Sequence, residues 1–195
     1  MKDSTIENPL GIKPIKKLLI SFAWPAITAN IINALYSIVD QIFIGQGVGY
    51  LGNAATNIAF PITTICLALG LMIGIGAAAN FNLELGRGNS EKAKAVVGTS
   101  VSSLFIIGVI LTILIHIFLE PLMYAFGSTD EILPYAKTFA GISSLGIPFL
   151  LLSISTNPMV RSDNSPKYSM YAIVFGAILN IILNPIFIFG FGWGI

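Results

Sequence analysis

Three polar side chains lie inside otherwise apolar sequence and have the chemistry to bind a cation. Asp40 is the only charged residue between Lys17 and Glu84. Asn180 and Asn184 are spaced i, i+4, so they share one face of a helix. A carboxylate in such a setting can exchange a proton for a metal ion or an organic cation, and amides can donate to it or coordinate a cation. The three residues are therefore candidates for an ion-exchange site.

Two interpretations fit each of these positions. An aspartate at the centre of a membrane helix costs roughly 2.5–3.5 kcal/mol, so a chain that keeps one normally lines a pathway or couples to an ion with it. Alternatively, Asp40 lies about 33 Å beyond Leu18 at a rise of about 1.5 Å per residue, which would place it near the lipid headgroups of a tilted helix. The two asparagines equally fit ordinary hydrogen bonding between helices, worth roughly 0.6–2 kcal/mol.

Two further residues of the same segment have candidate roles. Tyr36 precedes Asp40 by one helical turn, so its hydroxyl could bond the carboxylate, although an interfacial aromatic belt explains it almost as well. Pro25 removes an intrahelical hydrogen bond and can kink the helix as a hinge. Simple tolerance of proline within a bundle is the alternative.

The composition is that of a membrane protein. The chain has 195 residues, of which 55% are hydrophobic and only 10% charged, with a mean hydropathy of +0.85. Soluble domains are roughly 25% charged. The net charge of +1 and the lack of a basic face exclude a nucleic-acid partner. The lone Cys66 cannot form an internal disulfide.

The elements that position these residues are predicted to be transmembrane helices. A spanning helix needs roughly 20 mainly apolar residues, and the continuous apolar runs exclude barrel strands. We expect an all-α integral membrane fold with a cytoplasmic segment over residues 1–17 and a helix bundle over 18–195. The predicted spans are residues 18–44, 53–80, 95–118, 138–158 and 169–191.

Basic residues predict the orientation. By the positive-inside rule, the short loops on the cytoplasmic side of the membrane carry an excess of Lys and Arg. Lys137 is the single basic residue on the other side, so the N-terminus is predicted to be cytoplasmic in a multi-pass plasma-membrane protein. The basic residues of the cytoplasmic side are Lys2, Lys13, Lys16, Lys17, Arg87, Lys92, Lys94, Arg161 and Lys167.

No motif supports an enzyme, a cofactor or a structural metal. Gly70 and Gly74 have GxxxG spacing within a span, which indicates close helix packing rather than a phosphate loop. His116 and Glu120 share a helical face, but two ligands do not make a zinc site. The metal expectation is limited to Na⁺ at Asp40.

Four segments carry a resemblance to a known family. "LGRGNSEKA" (residues 85–93) and "VRSDNSPKYSM" (160–170) resemble the loops after the second and fourth helices of the multidrug and toxic compound extrusion (MATE) family. "WPAITANIINALYSIVDQIFIG" (24–45) is similar to the first helix of that family, and "GAILNIILNPIFIFGFG" (176–192) to its fifth. The segments occur in the family's order and cover almost the entire chain.

The resemblance implies a twelve-helix antiporter built from two six-helix lobes, which expels organic cations and drugs in exchange for Na⁺ or H⁺. This chain would supply five helices of the N-terminal lobe, as though truncated, and its partners would be the bilayer, a drug-like cation, and a C-terminal lobe or a second copy. Asn180 and Asn184 match a polar cluster that faces the first-helix aspartate. Many archaeal members have an acid at the position of Asn184, and members usually have glycine at that of Asn164.

Two other functions are expected rivals. One is a flippase of lipid-linked oligosaccharides from the same superfamily, although such proteins tend to line their cavity with basic residues and the spans contain none. The other is a non-transporting membrane remnant or interaction partner that only packs in the bilayer.

Overall fold

A computed structural model describes residues 14–163 and 165–192 of the chain. The predictions at Lys2, Lys13 and Asn164 lie outside the described residues. Within them, every regular element is helical, which confirms the all-α fold class. The elements are α1 (Ile15–Gly47), α2 (Tyr50–Gly86), α3 (Ser90–Ile117), α4 (Leu119–Ala125), α5 (Leu133–Ser144), α6 (Ile147–Ser162) and α7 (Pro166–Pro185), and a π-helical turn over Ile186–Gly190 follows α7.

The helices fit a membrane by length and hydropathy. Four of them, α1, α2, α3 and the segment Pro166–Gly190, are long and apolar enough to cross a bilayer, and α5 with α6 makes a fifth span if the bent pair is counted as one. The protein is therefore a multi-pass membrane protein. The helices form two packing groups. In one, α1 packs mainly against α7; in the other, α2 packs against α3, α5 and α6.

The fourth predicted span differs from the continuous helix expected over residues 138–158. It is broken between Ser144 and Ile147, and the two halves are bent by 59°. The physical reason is Pro148, which has no N–H to donate to the carbonyl of Ser144 one turn earlier. The hydroxyl of Thr112 on α3 donates to that carbonyl instead, at 2.8 Å. A Cβ on Gly108 would lie 2.5 Å from Cα of Pro148, so the lack of a side chain lets the broken span pack closely on α3.

Small residues also let α2 pack closely against α6. A Cβ on Gly74 would lie 2.7 Å from Cα of Ser155, and one on Gly70 would lie 3.0 Å from the side chain of Ile154. Glycine at such spacing permits close approach of membrane helices. This packing places α2 at the centre of the core, where Cys66, Leu104, Met123 and Leu151 are fully buried.

One end of the helix bundle carries Glu120, Asp130 and Glu131 and is called the acidic end. Hydrogen bonds and an ion pair connect the loops at this end. Tyr50 at the start of α2 donates to Glu131 at 2.9 Å, and Lys137 pairs with Glu120 at 2.7 Å. Tyr124 donates to Asp130 at 2.8 Å, and this hydrogen bond raises the pKa of the Tyr124 phenol because it favours the protonated form. The segments that join α1 to α2 and α3 to α5, which the distribution of basic residues predicts to be on the outer side, therefore meet at one end of the bundle.

Candidate functional site

Asp40 meets the two asparagines where α1 packs against α7. The Nδ2 of Asn184 donates a hydrogen bond to Oδ1 of Asp40. The same Nδ2 lies 3.1 Å from Oδ1 of Asn180, so one amide group links the carboxylate to the neighbouring asparagine. All three side chains are half-buried. The polar residues of the first and last helices thus form one hydrogen-bonded cluster.

Apolar contacts beyond the cluster hold α1 against the π-helical turn that follows α7. The rings of Phe43 and Phe189 meet edge to face with centroids 6.2 Å apart. A Cβ on Gly47 would overlap Cγ2 of Ile188, so the lack of a side chain at Gly47 makes room for the π-helical turn. Pro185 follows Asn184 directly and cannot donate to the preceding turn, which favours the change of helical form at this point.

A cavity of about 460 Å³ opens beside Asp40, between α1, α2 and the broken span. The cavity exists because α1 packs against α7 and makes few contacts with α2. Tyr36 lines the same cavity as Asp40. Within residues 14–163 and 165–192, the hydrogen bond to the Asp40 carboxylate comes from Asn184 and none comes from Tyr36. The structure therefore places Tyr36 beside the cluster without joining it to the carboxylate.

Sequence reasoning missed the neutral polar residues of this cavity. On α1 they are spaced i, i+4 and i+8 at Asn33, Ser37 and Gln41, which is the period of one helical face. A polar stripe with this period inside an apolar span was the available signal. On α2 the corresponding side chains are Thr56, Thr63 and Thr64.

Pro25 lies apart from the cluster. Its side chain is buried, and α1 continues through it as one helix. It stands roughly 22 Å from Asp40 along the helix at about 1.5 Å per residue, so it cannot touch the carboxylate. Its role as a hinge stays a prediction.

Among residues 14–163 and 165–192, no basic side chain forms an ion pair with Asp40. The salt bridges found in the described part of the chain are Arg87 with Glu84, Lys94 with Glu91 and Lys137 with Glu120, all near helix ends. Over the same residues there is no group of three or more His, Cys, Asp or Glu that could hold a metal ion. Chemically, the site is one carboxylate with amide and hydroxyl neighbours, an arrangement suited to a monovalent cation or a proton.

The chain is similar to known membrane transporters. The probable multidrug resistance protein YoeA of Bacillus subtilis is 26% identical over 169 residues, which are 87% of this chain and 36% of that protein. An FAD transporter of Shewanella oneidensis is 30% identical over 179 residues, which are 92% of this chain and 39% of that protein. These relatives are transport proteins and not enzymes.

Solved structures agree with the helix arrangement. The MATE multidrug transporter DinF-BH superposes with a TM-score of 0.89 at 34% identity, covering 96% of this chain and 42% of that one. A MOP superfamily transporter from Pyrococcus furiosus gives a TM-score of 0.86 at 27% identity, covering 95% and 41%. The chain therefore spans less than half the length of these relatives. The family model MatE matches residues 25–186, and the chain belongs to the MatE family.

Proposed function

We propose that this chain forms the N-terminal lobe of a cation-coupled multidrug efflux antiporter in the plasma membrane, with its N-terminus in the cytoplasm. Asp40 is the exchange site, and it takes up Na⁺ or H⁺ in alternation with the outward movement of an organic cation. Asn180 and Asn184 complete its polar shell, and Tyr36 lines the adjoining cavity. No cofactor is needed for this cycle beyond the coupling ion.

The observation that carries the proposal is the hydrogen bond from Asn184 to Asp40. It joins two helices that are distant in sequence, at a point where the carboxylate also lines a cavity. An ionised carboxylate accepts this bond, whereas a protonated or cation-bound carboxylate offers fewer free lone pairs. The state of Asp40 therefore changes how favourably α1 packs on α7.

Coupling follows if the substrate discriminates between those packings. A ligand shifts an equilibrium between two conformations only to the extent that it binds one better than the other. An organic cation would discriminate in this way if it bound only the conformation in which Asp40 is ionised. It would then compete with the coupling ion for the carboxylate. Release of one cation then accompanies binding of the other.

A second lobe is part of the proposal. The chain covers 36% of one curated relative and 42% of one solved transporter, so a central drug cavity would need a further wall. That wall is either a C-terminal lobe or a second copy of this chain. The multidrug relatives named above support a drug as the substrate class.

The test is efflux of a fluorescent organic cation from cells that express a full-length transporter carrying this lobe. Asp40→Asn removes the ionisable group and keeps the shape, so we expect ion-driven efflux to fall to background while membrane insertion is retained. Glu91→Gln is the matched control because its carboxylate is exposed and paired with Lys94 at the start of α3. Efflux by Asp40→Asn equal to that of the control would reject the exchange role.

A further inference from the structure

A second cavity adjoins the one that contains Asp40. It is an open groove of about 480 Å³ between the last turns of α1 and the first turn of α2, with Gly45, Gln46 and Asn53 on its walls. Ser37 and Gln41 line both cavities, so the two meet at these side chains. The groove therefore lies between the loop that joins α1 to α2 and the Asp40 carboxylate.

Asn53 has an unusual environment for a buried amide. Its Oδ1 is buried and has no hydrogen-bond partner in the described part of the chain. Its backbone carbonyl, by contrast, accepts from Thr56 at 2.9 Å and from Asn57 at 2.7 Å. A Cβ on Gly45 would lie 2.8 Å from Nδ2 of Asn53, so a side chain at position 45 would displace this amide. An unpaired buried oxygen is destabilising, and a bound ligand would offset this cost.

The donor set of the groove favours a metal cation over a proton. Asn53, Gln41 and Gln46 offer amide oxygens and Ser37 offers a hydroxyl, all of them neutral. Amide oxygens do not take up protons at ordinary pH, but they coordinate hard cations. The groove also adjoins the C-terminal end of α1 at Gly47, where the helix dipole favours positive charge.

Weak neutral ligands also suit a transit position. A site on a permeation route must bind well enough to admit an ion and weakly enough to release it. The groove contributes no carboxylate, whereas the adjoining cavity contains Asp40. A cation in the groove would therefore move down an electrostatic gradient toward the charged site.

We propose that the groove binds a partly hydrated Na⁺ on its way from the outer side to Asp40, with Oδ1 of Asn53 as a direct ligand. This rests on the exchange role proposed for Asp40, and it adds the identity and the route of the ion. The groove thereby supplies a second cation site, separate from the carboxylate.

Sodium NMR on the 195-residue chain in nanodiscs of zwitterionic lipid tests this inference, with choline as the inert cation. Sodium bound at Asp40 and sodium bound in the groove should each broaden the sodium signal. Asp40→Asn should remove the first contribution and retain the second. Adding Asn53→Leu to that background should lower the retained part at least twofold. Adding Asn57→Leu is the matched control, because this nearby amide lines neither cavity, and it should leave the retained part unchanged.

Gly45→Ala in the same background gives a second, independent variant. It keeps the Asn53 oxygen and displaces the amide, so it too should lower the retained broadening. Size-exclusion chromatography and circular dichroism identify variants that fail to fold. Equal broadening in the Asn53→Leu and Asn57→Leu variants, or none at all in Asp40→Asn alone, would overturn the groove site. Broadening that Asp40→Asn does not change would instead refute Na⁺ exchange at Asp40 and leave the groove standing.

Discussion

The carboxylate of Asp40 is stabilised by dipoles, because no basic side chain pairs with it in the described residues. Asn184 donates directly, and Thr56 and Thr63 line the same cavity. A permanent Lys or Arg partner would fill the place of a mobile cation, whereas amides and hydroxyls leave it open. The exchange proposed for Asp40 therefore depends on a neutral polar shell.

The hydrogen bond between Asp40 and Asn184 can be measured through a double-mutant cycle. Asn184→Leu keeps the approximate shape and removes the donor, so we expect a loss of about 1.5–3 kcal/mol, the usual worth of a hydrogen bond to a charged group. In an Asp40→Asn background the same substitution should cost clearly less, since the charge is gone. Thermal unfolding in detergent provides the values. Additive losses in the double variant would show that the pair does not interact.

The sequence alone identifies the charged residue of the site more readily than the neutral residues around it. Asp40, Asn180 and Asn184 were visible as isolated polar residues in apolar spans. Their meeting depends on α1 packing against α7, across 144 residues of sequence, and local periodicity carries no information about such a pairing. The resemblance to a family supplied that expectation.

At the scale of the helices, α3 stabilises the break in the fourth span. Pro148 leaves the Ser144 carbonyl without its helical donor, and Thr112 and Gly108 of α3 supply a hydroxyl and the space for a close approach. The length and hydropathy of residues 138–158 predicted one continuous helix, whereas the structure has two helices with a 59° bend between them. Proline is often tolerated in membrane helices, so its presence alone does not decide whether a helix bends.

The hydroxyl of Thr112 should be worth more than that of an ordinary helical threonine. Thr112→Val keeps the volume and leaves the Ser144 carbonyl unpaired, which we expect to cost about 1–3 kcal/mol of unfolding free energy. Thr138→Val is the matched control, because Thr138 is exposed and bonds only within its own helix, to Pro134. Thermal melts of both variants decide the matter. If the two substitutions destabilise the protein equally, α3 does not support the break in this way.

The whole molecule exposes two kinds of surface. Large apolar side chains such as Trp24, Phe149 and Phe175 are exposed in the manner of residues that face lipid tails. Asn33 and Ser37 are exposed as well, but on the side of α1 that lines the Asp40 cavity. Polar groups are costly in hydrocarbon, so we expect this face to meet a second lobe across a hydrated cleft.

The orientation of the bundle can be tested by labelling single cysteines in intact cells. In a Cys66→Ala background, Thr129→Cys at the acidic end should react with a membrane-impermeant maleimide added outside. Lys92→Cys, in the first turn of α3, should react only after the membrane is permeabilised, because Lys and Arg concentrate on the cytoplasmic side. Labelling of position 92 in unbroken cells would reverse the assigned topology.

The central claim is that Asp40 exchanges the coupling ion, and the most direct measurement is transport in proteoliposomes under separately imposed Na⁺ and pH gradients. A full-length transporter carrying this lobe should accumulate an organic cation against its gradient under one of the two, and Glu91→Gln should do the same. Asp40→Asn should bring the organic cation only to equilibrium under either gradient. Gradient-driven accumulation that survives Asp40→Asn would contradict the account.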